Sequence, residues 1–246
     1  MRSLGIDAII LKRRNLGEFD QSITLFSPEL GKIQATARGA RKVSSQFAGH
    51  LEPLNICRLE LHRSARNYTI TQCQALKTFR PLRDNLRKSM LSMLILEVFQ
   101  KSTHNDEQGR ELYGLIEETL DNISTGTKSP LIIEIFKIKL LQLIGTLPGT
   151  GHCSFCRKRW TPESIVSLDH EGHFCCIECD NELKPGENIP FNIIRLINFI
   201  CEHEFGKITR IALATKEHEC LRKISNSFLE RFLDREIMAE KILDRI

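Results

Sequence analysis

Several common signatures are missing from this sequence of 246 residues. No run of about 18 apolar residues occurs, so no transmembrane helix is expected. The opening Met1-Arg2-Ser3-Leu4-Gly5-Ile6-Asp7 reaches a carboxylate before an apolar core can form, so no secretory signal peptide is expected and a cytoplasmic location follows. There is no G-x-S-x-G nucleophile elbow. Gly126-Thr127-Lys128-Ser129 lacks both the Gly directly before Lys and the upstream Gly of a phosphate loop. His50-Leu51-Glu52 starts like the zinc deaminase signature, but Cys153 follows His152 rather than Pro and lies about a hundred residues on. No catalytic residue is expected, and the chain reads as a binding protein rather than an enzyme. Internal repeats and low-complexity tracts are absent too.

Positive charge is present but unevenly spread. The formal net charge is +4. Residues 1–80 hold 13 Lys and Arg against 6 Asp and Glu, a net +7, while residues 151–190 are net −3. An excess confined to the first third is the pattern of a module that meets a polyanion. The plainer reading is a solvated basic face without a partner.

The same first third reads as five short strands. Ile6 to Lys12, Gln21 to Phe26, a run opened by Gly31, Leu54 to His62 and Tyr68 to Phe79 are separated by turn-prone breaks. In the third run Ile33, Ala35 and Ala37 alternate with Lys32, Gln34, Thr36 and Arg38, burying one face and sending cations out of the other. Five strands without a helical crossover suggest a small closed barrel, with an OB-type barrel leading and an SH3-like one as the alternative. After the third run, Arg38-Gly39-Ala40-Arg41-Lys42 reads as a flexible cationic loop.

From Pro81 the period changes to that of helices. Leu82, Leu86, Met90, Met93, Leu94 and Glu97 through Phe99 fit a 3.6 period, Asp106 can cap a second helix carrying Leu112, Leu115, Ile116, Leu120 and Ile123, and Ser129-Pro130 starts a third over Leu131 to Leu143. Helices also follow Pro190, through Phe205, and span Glu217 to Leu233, with Asp234 to Ile246 as a short terminal helix. The fold class is therefore multidomain α+β: an OB-type β-barrel over 1–80, then an α-helical domain over 81–246, interrupted by a cysteine-rich segment at 152–180.

That segment carries Cys153-Ser154-Phe155-Cys156 and Cys176-Ile177-Glu178-Cys179. Nine cysteines in a reducing compartment point to metal or redox chemistry before disulfides. Two C-x2-C turns supply a tetrahedral four-sulfur shell for one Zn2+ per chain, and four protein ligands leave no open position, so the site is expected to be structural. Cys175, His152 and His173 remain alternative ligands. Cys57, Cys73, Cys201 and Cys220 fall in apolar patterns and read as packing residues.

The order of these parts, with Gly39-Ala40-Arg41-Lys42, Phe47, Leu51-Glu52-Pro53-Leu54, the paired cysteines and Gly172-His173-Phe174 before the second knuckle, resembles the RecO family of bacterial recombination mediators over nearly the whole chain. The resemblance implies a nucleoid-associated protein that binds single- and double-stranded DNA and anneals complementary strands. It also implies work with RecR, contact with the acidic C-terminal tail of single-strand-binding protein, and loading of RecA. The helical domain's Arg83, Lys137, Lys139 and Arg195 are the cations available to such a tail.

DNA binding also follows from the residues themselves, because a barrel with outward cations can track a phosphate backbone. The candidates are Arg13, Arg14, Lys32, Arg38, Arg41 and Lys42, then Arg63 and Arg66 at the turn between strands four and five. Aromatic side chains are scarce here: Phe19, Phe26, Phe47, Tyr68 and Phe79, most expected to face the core, with Phe47 and Tyr68 the two placed to touch bases. Backbone contacts, with little sequence preference, are therefore expected to dominate. The competing reading is an interaction adaptor with a structural zinc and no direct DNA binding.

Overall fold

The computed structural model describes residues 3–47, 49–64, 67–104, 109–126, 131–169, 171–182 and 187–233. Five strands open the chain: β1 (Ser3–Leu16), β2 (Asp20–Ser27), β3 (Gly31–Ala37), β4 (Ile56–Arg63) and β5 (Tyr68–Lys77). They form a closed sheet in the order β1-β2-β3-β5-β4. Closure depends on the length of β1. Its first half pairs with β4 from Ser3↔His62 to Ile9↔Ile56, and its second half pairs with β2 from Ile9↔Phe26 to Leu16↔Asp20. A bulge between Ile10 and Lys12 marks the change of partner, as bulges do where a strand must bend sharply. The ring closes where β3 and β5 run parallel through Ala35↔Tyr68, Thr36↔Thr69 and Ala37↔Ile70.

The alternation read in β3 holds: Ile33, Ala35 and Ala37 are buried, while Gln34 and Arg38 are exposed. The segment between β3 and β4 is not a free loop. Phe47 and Leu51 enter the same core cluster as Ile10, Leu25, Leu59 and Ile70. His50 is spent locally, its Nδ1 accepting from the Ala75 N–H (3.2 Å) and its carbonyl accepting from Asn55 Nδ2 (2.8 Å).

Three helices complete the first of two compact units, which runs to Gly126: α1 (Arg80–Arg83), α2 (Leu86–Ser102) and α3 (Arg110–Ser124). The expected change from strands to helices after residue 80 is present, but these helices pack on the sheet as one body with it. Phe99 of α2 meets Phe26 of β2 edge-on, ring centroids 4.9 Å apart. Lys32 donates to the carbonyls of Gln100 (2.7 Å) and Thr103, where an ammonium complements the helix C-terminus. Arg83 donates to Pro53 O (2.7 Å) and Asn55 Oδ1 (2.8 Å). The apolar period expected from Pro81 onward holds in part, with Leu82 buried. Asn85 caps α2 by accepting from the Lys88 N–H (3.0 Å), which starts a new helix and resets its phase. Leu94, Ile95, Val98 and Phe99 go inward, and Leu86 and Met93 are left exposed.

The second unit, Thr127 to Glu236, is built on α4 (Ile132–Leu143), buried on most sides as its apolar run predicts. A small antiparallel sheet follows: β6 (Val166–Leu168) lies between β7 (Phe174–Cys176) and, after α5 (Ile177–Glu182), β8 (Glu187–Ile189). The periodicity gave no sign of these three-residue strands. Next come α6 (Phe191–Glu202), α7 (Phe205–Ile208) and α8 (Thr215–Leu233), so the helix expected through Phe205 ends at Glu202. Leu221, Ile224 and Phe228 of α8 are buried as expected. Asp106, Ser129-Pro130 and the terminal helix lie outside the described residues. Among the described residues no helix is long and apolar enough to cross a membrane.

Removing the Phe99 ring (Phe99→Ala) should destabilise the first unit by about 3–5 kcal/mol. A denaturant midpoint barely moved would show that the contact with Phe26 contributes little. In the second unit, His218 Nε2 lies 3.3 Å from Glu134 Oε2, and that hydrogen bond raises the imidazole pKa against the opposing effect of burial. A raised folded-state value means the His218 contribution is complete below the ordinary 6.5 and fades as pH climbs through the folded value. Wild-type stability should therefore fall more steeply than that of His218→Gln as pH rises from 6.5 through the raised folded value, and the two profiles should run parallel above it. Equal pH profiles from thermal melts would refute it.

Candidate nucleic-acid interface and cysteine centre

The outer face of β1-β2-β3 is ordered by register. Arg14, Ser22 and Thr36 form one cross-strand row, and Leu16 and Asp20 form the next, beside Arg38 two residues on from Thr36. Cross-strand partners share a face, so Arg14 and Arg38 stand in adjacent rows on the same side. Both are exposed, and neither makes an ion pair among the described residues.

The stretch after β3 folds back on the β1–β2 turn. Gly39, at φ +65°, donates its N–H to Asp20 Oδ1 (2.8 Å). Arg41 donates its backbone N–H to Phe19 O (2.9 Å) and its guanidinium to the carbonyls of Gly17 (3.1 Å) and Glu18 (2.8 Å). Lys42 places its ammonium 5.4 Å from the centroid of the Phe19 ring. Gln46 Nε2 reaches Thr71 O (3.2 Å). The expected flexible loop is thus a set of turns fixed at both ends, and its glycine serves the left-handed turn.

The other sequence candidates divide. Arg13 pairs with Glu52, and Lys32 is half-buried against the α2 carbonyls instead of facing outward. Arg63 is exposed and lies over Tyr68, 5.7 Å from the ring centroid. Arg66 lies outside the described residues. Of the two aromatics expected near bases, Phe47 is buried in the core and Tyr68 packs partly against it. Phe19, one of five aromatics of which most are expected to face the core, is 45% exposed at the turn, and Leu16 and Val43 are exposed too. Its signal was the turn itself: Leu16-Gly17 breaks the strand, so Phe19 has no inner face to occupy. Of the helical cations, Arg83, Lys137 and Lys139 bond within the fold, Lys137 to Asn226 and Lys139 to His203 O (2.7 Å), while Arg195 is exposed.

In the second unit the sulfurs of Cys153, Cys156, Cys176 and Cys179 all lie within 4.8 Å of one another. The Cys156–Cys176 separation of 3.7 Å matches the edge of a tetrahedron with Zn–S bonds of about 2.3 Å. The first knuckle is closed by Arg157 N–H on Cys153 O (3.1 Å), and Ser154 N–H joins it to Phe174 O of β7 (2.8 Å). Burial opposes ionisation of Cys153, yet the N–H groups of Cys156, Cys176 and Phe155 bring it down to about 6. The Cys176 thiol pushes Cys179 up to about 12. A cluster of thiols repels further negative charge unless a cation is present, and thiolates bound to a metal are held deprotonated. The donor set fits a metal ion.

The alternative ligands point elsewhere. Cys175 is buried with its sulfur toward Ser167 O (3.6 Å), His152 Nε2 meets Arg157 (2.9 Å), and His173 Nδ1 meets Asp169 Oδ2 (3.1 Å). Burial would raise the Asp169 pKa, but the backbone and ring of His173 lower it, so this carboxylate locks the β6–β7 turn. Phe174 packs edge-on against Phe228 of α8 at 5.6 Å, and Arg231 donates to Asp169 O (3.2 Å). Gly172 sits at φ +89°, a backbone conformation that side-chain-bearing residues rarely adopt, which explains that glycine.

Comparison with known families is consistent along the chain. Residues 1–79 match the family described as Recombination protein O N terminal, and residues 83–240 match Recombination protein O C terminal. Among curated relatives, the DNA repair protein RecO of Thermoanaerobacter sp. is 25% identical over 248 residues, covering 100% of this chain and 99% of its own. That of a Dehalococcoides mccartyi strain is 28% identical over 206 residues, 84% of this chain and 81% of its own. That of Syntrophus aciditrophicus is 25% identical over 245 residues, 98% and 95% respectively. With both halves matched in order and at full length, the chain belongs to the RecO family.

Proposed function

We propose that this protein is a DNA repair and recombination mediator that binds single- and double-stranded DNA, anneals complementary strands and, with RecR, helps load RecA onto DNA coated by single-strand-binding protein. The observation that carries the reading is the cationic outer face of β1-β2-β3, continued into the fixed turns at Arg41 and Lys42. Strand order β1-β2-β3-β5-β4 with a parallel β3–β5 closure supports an OB-type barrel, and that fold binds oligonucleotides on its strand 2–3 face and in the loops after strands one and four. Arg14 and Arg38 border that face, Arg41 and Lys42 lie at the loop after strand one, and Arg63 ends strand four. Arg13 and Lys32 are assigned structural work.

Annealing needs charge neutralisation more than chemistry. Two strands repel, and a cationic surface that holds both loosely raises their encounter rate while bases stay free to pair. No bond-breaking step is required. The cysteine centre holds one structural Zn2+ through Cys153, Cys156, Cys176 and Cys179, tying the first knuckle to β7 and α5. RecR and the tail of single-strand-binding protein are taken as partners on family membership.

Replacing Arg14, Arg38 and Lys42 together by Glu spares the Arg41 clamp and should leave thermal unfolding unchanged. The slope of log affinity against log salt should shrink by about 2–3, at about 0.7–0.9 per phosphate contact, and annealing without ATP should fall with it. An unaltered slope would move the interface elsewhere, and tight partner binding with no salt-sensitive DNA affinity in the wild type would favour the adaptor reading. Separately, Cys156→Ser should lose bound zinc by elemental analysis and lower the melting temperature while DNA affinity persists. A variant equally stable but defective in DNA binding would give the knuckle a direct role.

A further inference from the structure

We infer that Phe19 is a stacking platform for an unpaired nucleobase, so that the barrel face recognises single strands by their bases as well as their phosphates. The inference rests on the DNA-binding reading above and adds the chemical group that the turn takes.

Exposure alone does not carry it, since a single apolar side chain on a surface is ordinary. What distinguishes Phe19 is how it is held and what surrounds it. Its carbonyl accepts from the Arg41 N–H (2.9 Å), the two preceding carbonyls accept from the Arg41 guanidinium, and the next residue, Asp20, accepts from the Gly39 N–H. Four hydrogen bonds fix a five-residue turn, yet the ring they present stays 45% exposed. A rigid aromatic group costs little further entropy on binding.

The surroundings select the ligand. Leu16 adds exposed apolar surface at the same turn, Arg41 and Lys42 lie against it, and exposed Arg14 and Arg38 stand on the adjoining strand rows. Within the turn the opposing charges are Glu18, which is exposed, and Asp20, which accepts from the Gly39 N–H. An apolar ring ringed by cations suits a ligand that is planar and apolar on its face and anionic along its edge. Unpaired nucleotides have that form, with bases that stack on aromatic side chains while the backbone follows the positive charge. Lys42 holds its ammonium over the ring, 5.4 Å from the centroid, and a base stacking on that face would displace it toward the nucleotide's own phosphate. In a duplex the bases are stacked on one another and closed to the ring. Phe19 therefore favours single strands, and a platform of one ring leaves neighbouring bases free to pair.

The test compares three oligonucleotides of equal length: a single strand, the same strand with abasic sites throughout, and a duplex. Phe19→Ala should weaken binding to the base-containing strand about 5- to 100-fold, as loss of a base–aromatic stack does. It should leave the abasic strand and the duplex within about twofold, and the salt slope should not change because no phosphate contact is lost. Phe19→Trp should restore affinity, with its indole emission quenched by the base-containing strand only. Thermal unfolding of each variant checks the turn. Equal affinity of Phe19→Ala and wild type for the base-containing strand would overturn the inference while leaving DNA binding intact. So would an equal loss on all three ligands, which marks a structural role. If the wild type itself shows no salt-sensitive binding to any of the three, the parent reading fails instead.

Discussion

The first unit depends on one strand serving two partners. β1 is long enough, at 14 residues, to pair with β4 and then with β2, and its bulge at Ile10–Lys12 turns the sheet so that β3 can reach β5. Everything proposed for the interface inherits its geometry from that bend. The outer rows carrying Arg14 and Arg38 are rows only because the β1–β2 and β2–β3 registers put those residues beside one another. The turn carrying Phe19 is a turn because the same two strands continue as a hairpin. A one-residue slip in β1 would send Arg14 to the other face, away from the row beside Arg38.

Cations in this protein do two kinds of work, and the tally of charge does not separate them. Lys32 satisfies carbonyls at the end of α2, Arg83 joins α1 to the segment before β4, and Lys137 is fully buried beside Asn226. These side chains saturate backbone or amide oxygens that would be costly to bury unpaired. Arg41 stands between the two classes, clamping the β1–β2 turn through two carbonyls while remaining exposed. Only after such residues are set aside does the +7 of the first third resolve into a compact surface.

The cysteine centre follows a similar logic of small parts held from outside. Strands of three residues have little core of their own, and the sheet β7-β6-β8 gains its from Phe174 against Phe228 and from the sulfur cluster. Asp169 and Arg231 fasten the β6–β7 turn to α8. The cysteine cluster and the packing on the helix are thereby parts of one local structure.

The sequence by itself determined the strand and helix classes, the buried face of α3, the membership of the four cysteines in one cluster and the concentration of positive charge in the first third. Each is a local or additive property: side-chain alternation, helical period, fixed spacing within a turn, a sum of charges. Tertiary structure decided the rest. It chose which cations face solvent, because an ammonium finds a helix carbonyl only when a distant helix arrives beside it. It reset the phase of α2, because a cap at Asn85 outweighed the apolar spacing that spanned it. It took Phe47 from a connecting segment into the barrel core and left Phe19 exposed on a turn too tight to bury it. Those outcomes depend on contacts between residues far apart in the chain, which periodicity along the chain does not encode.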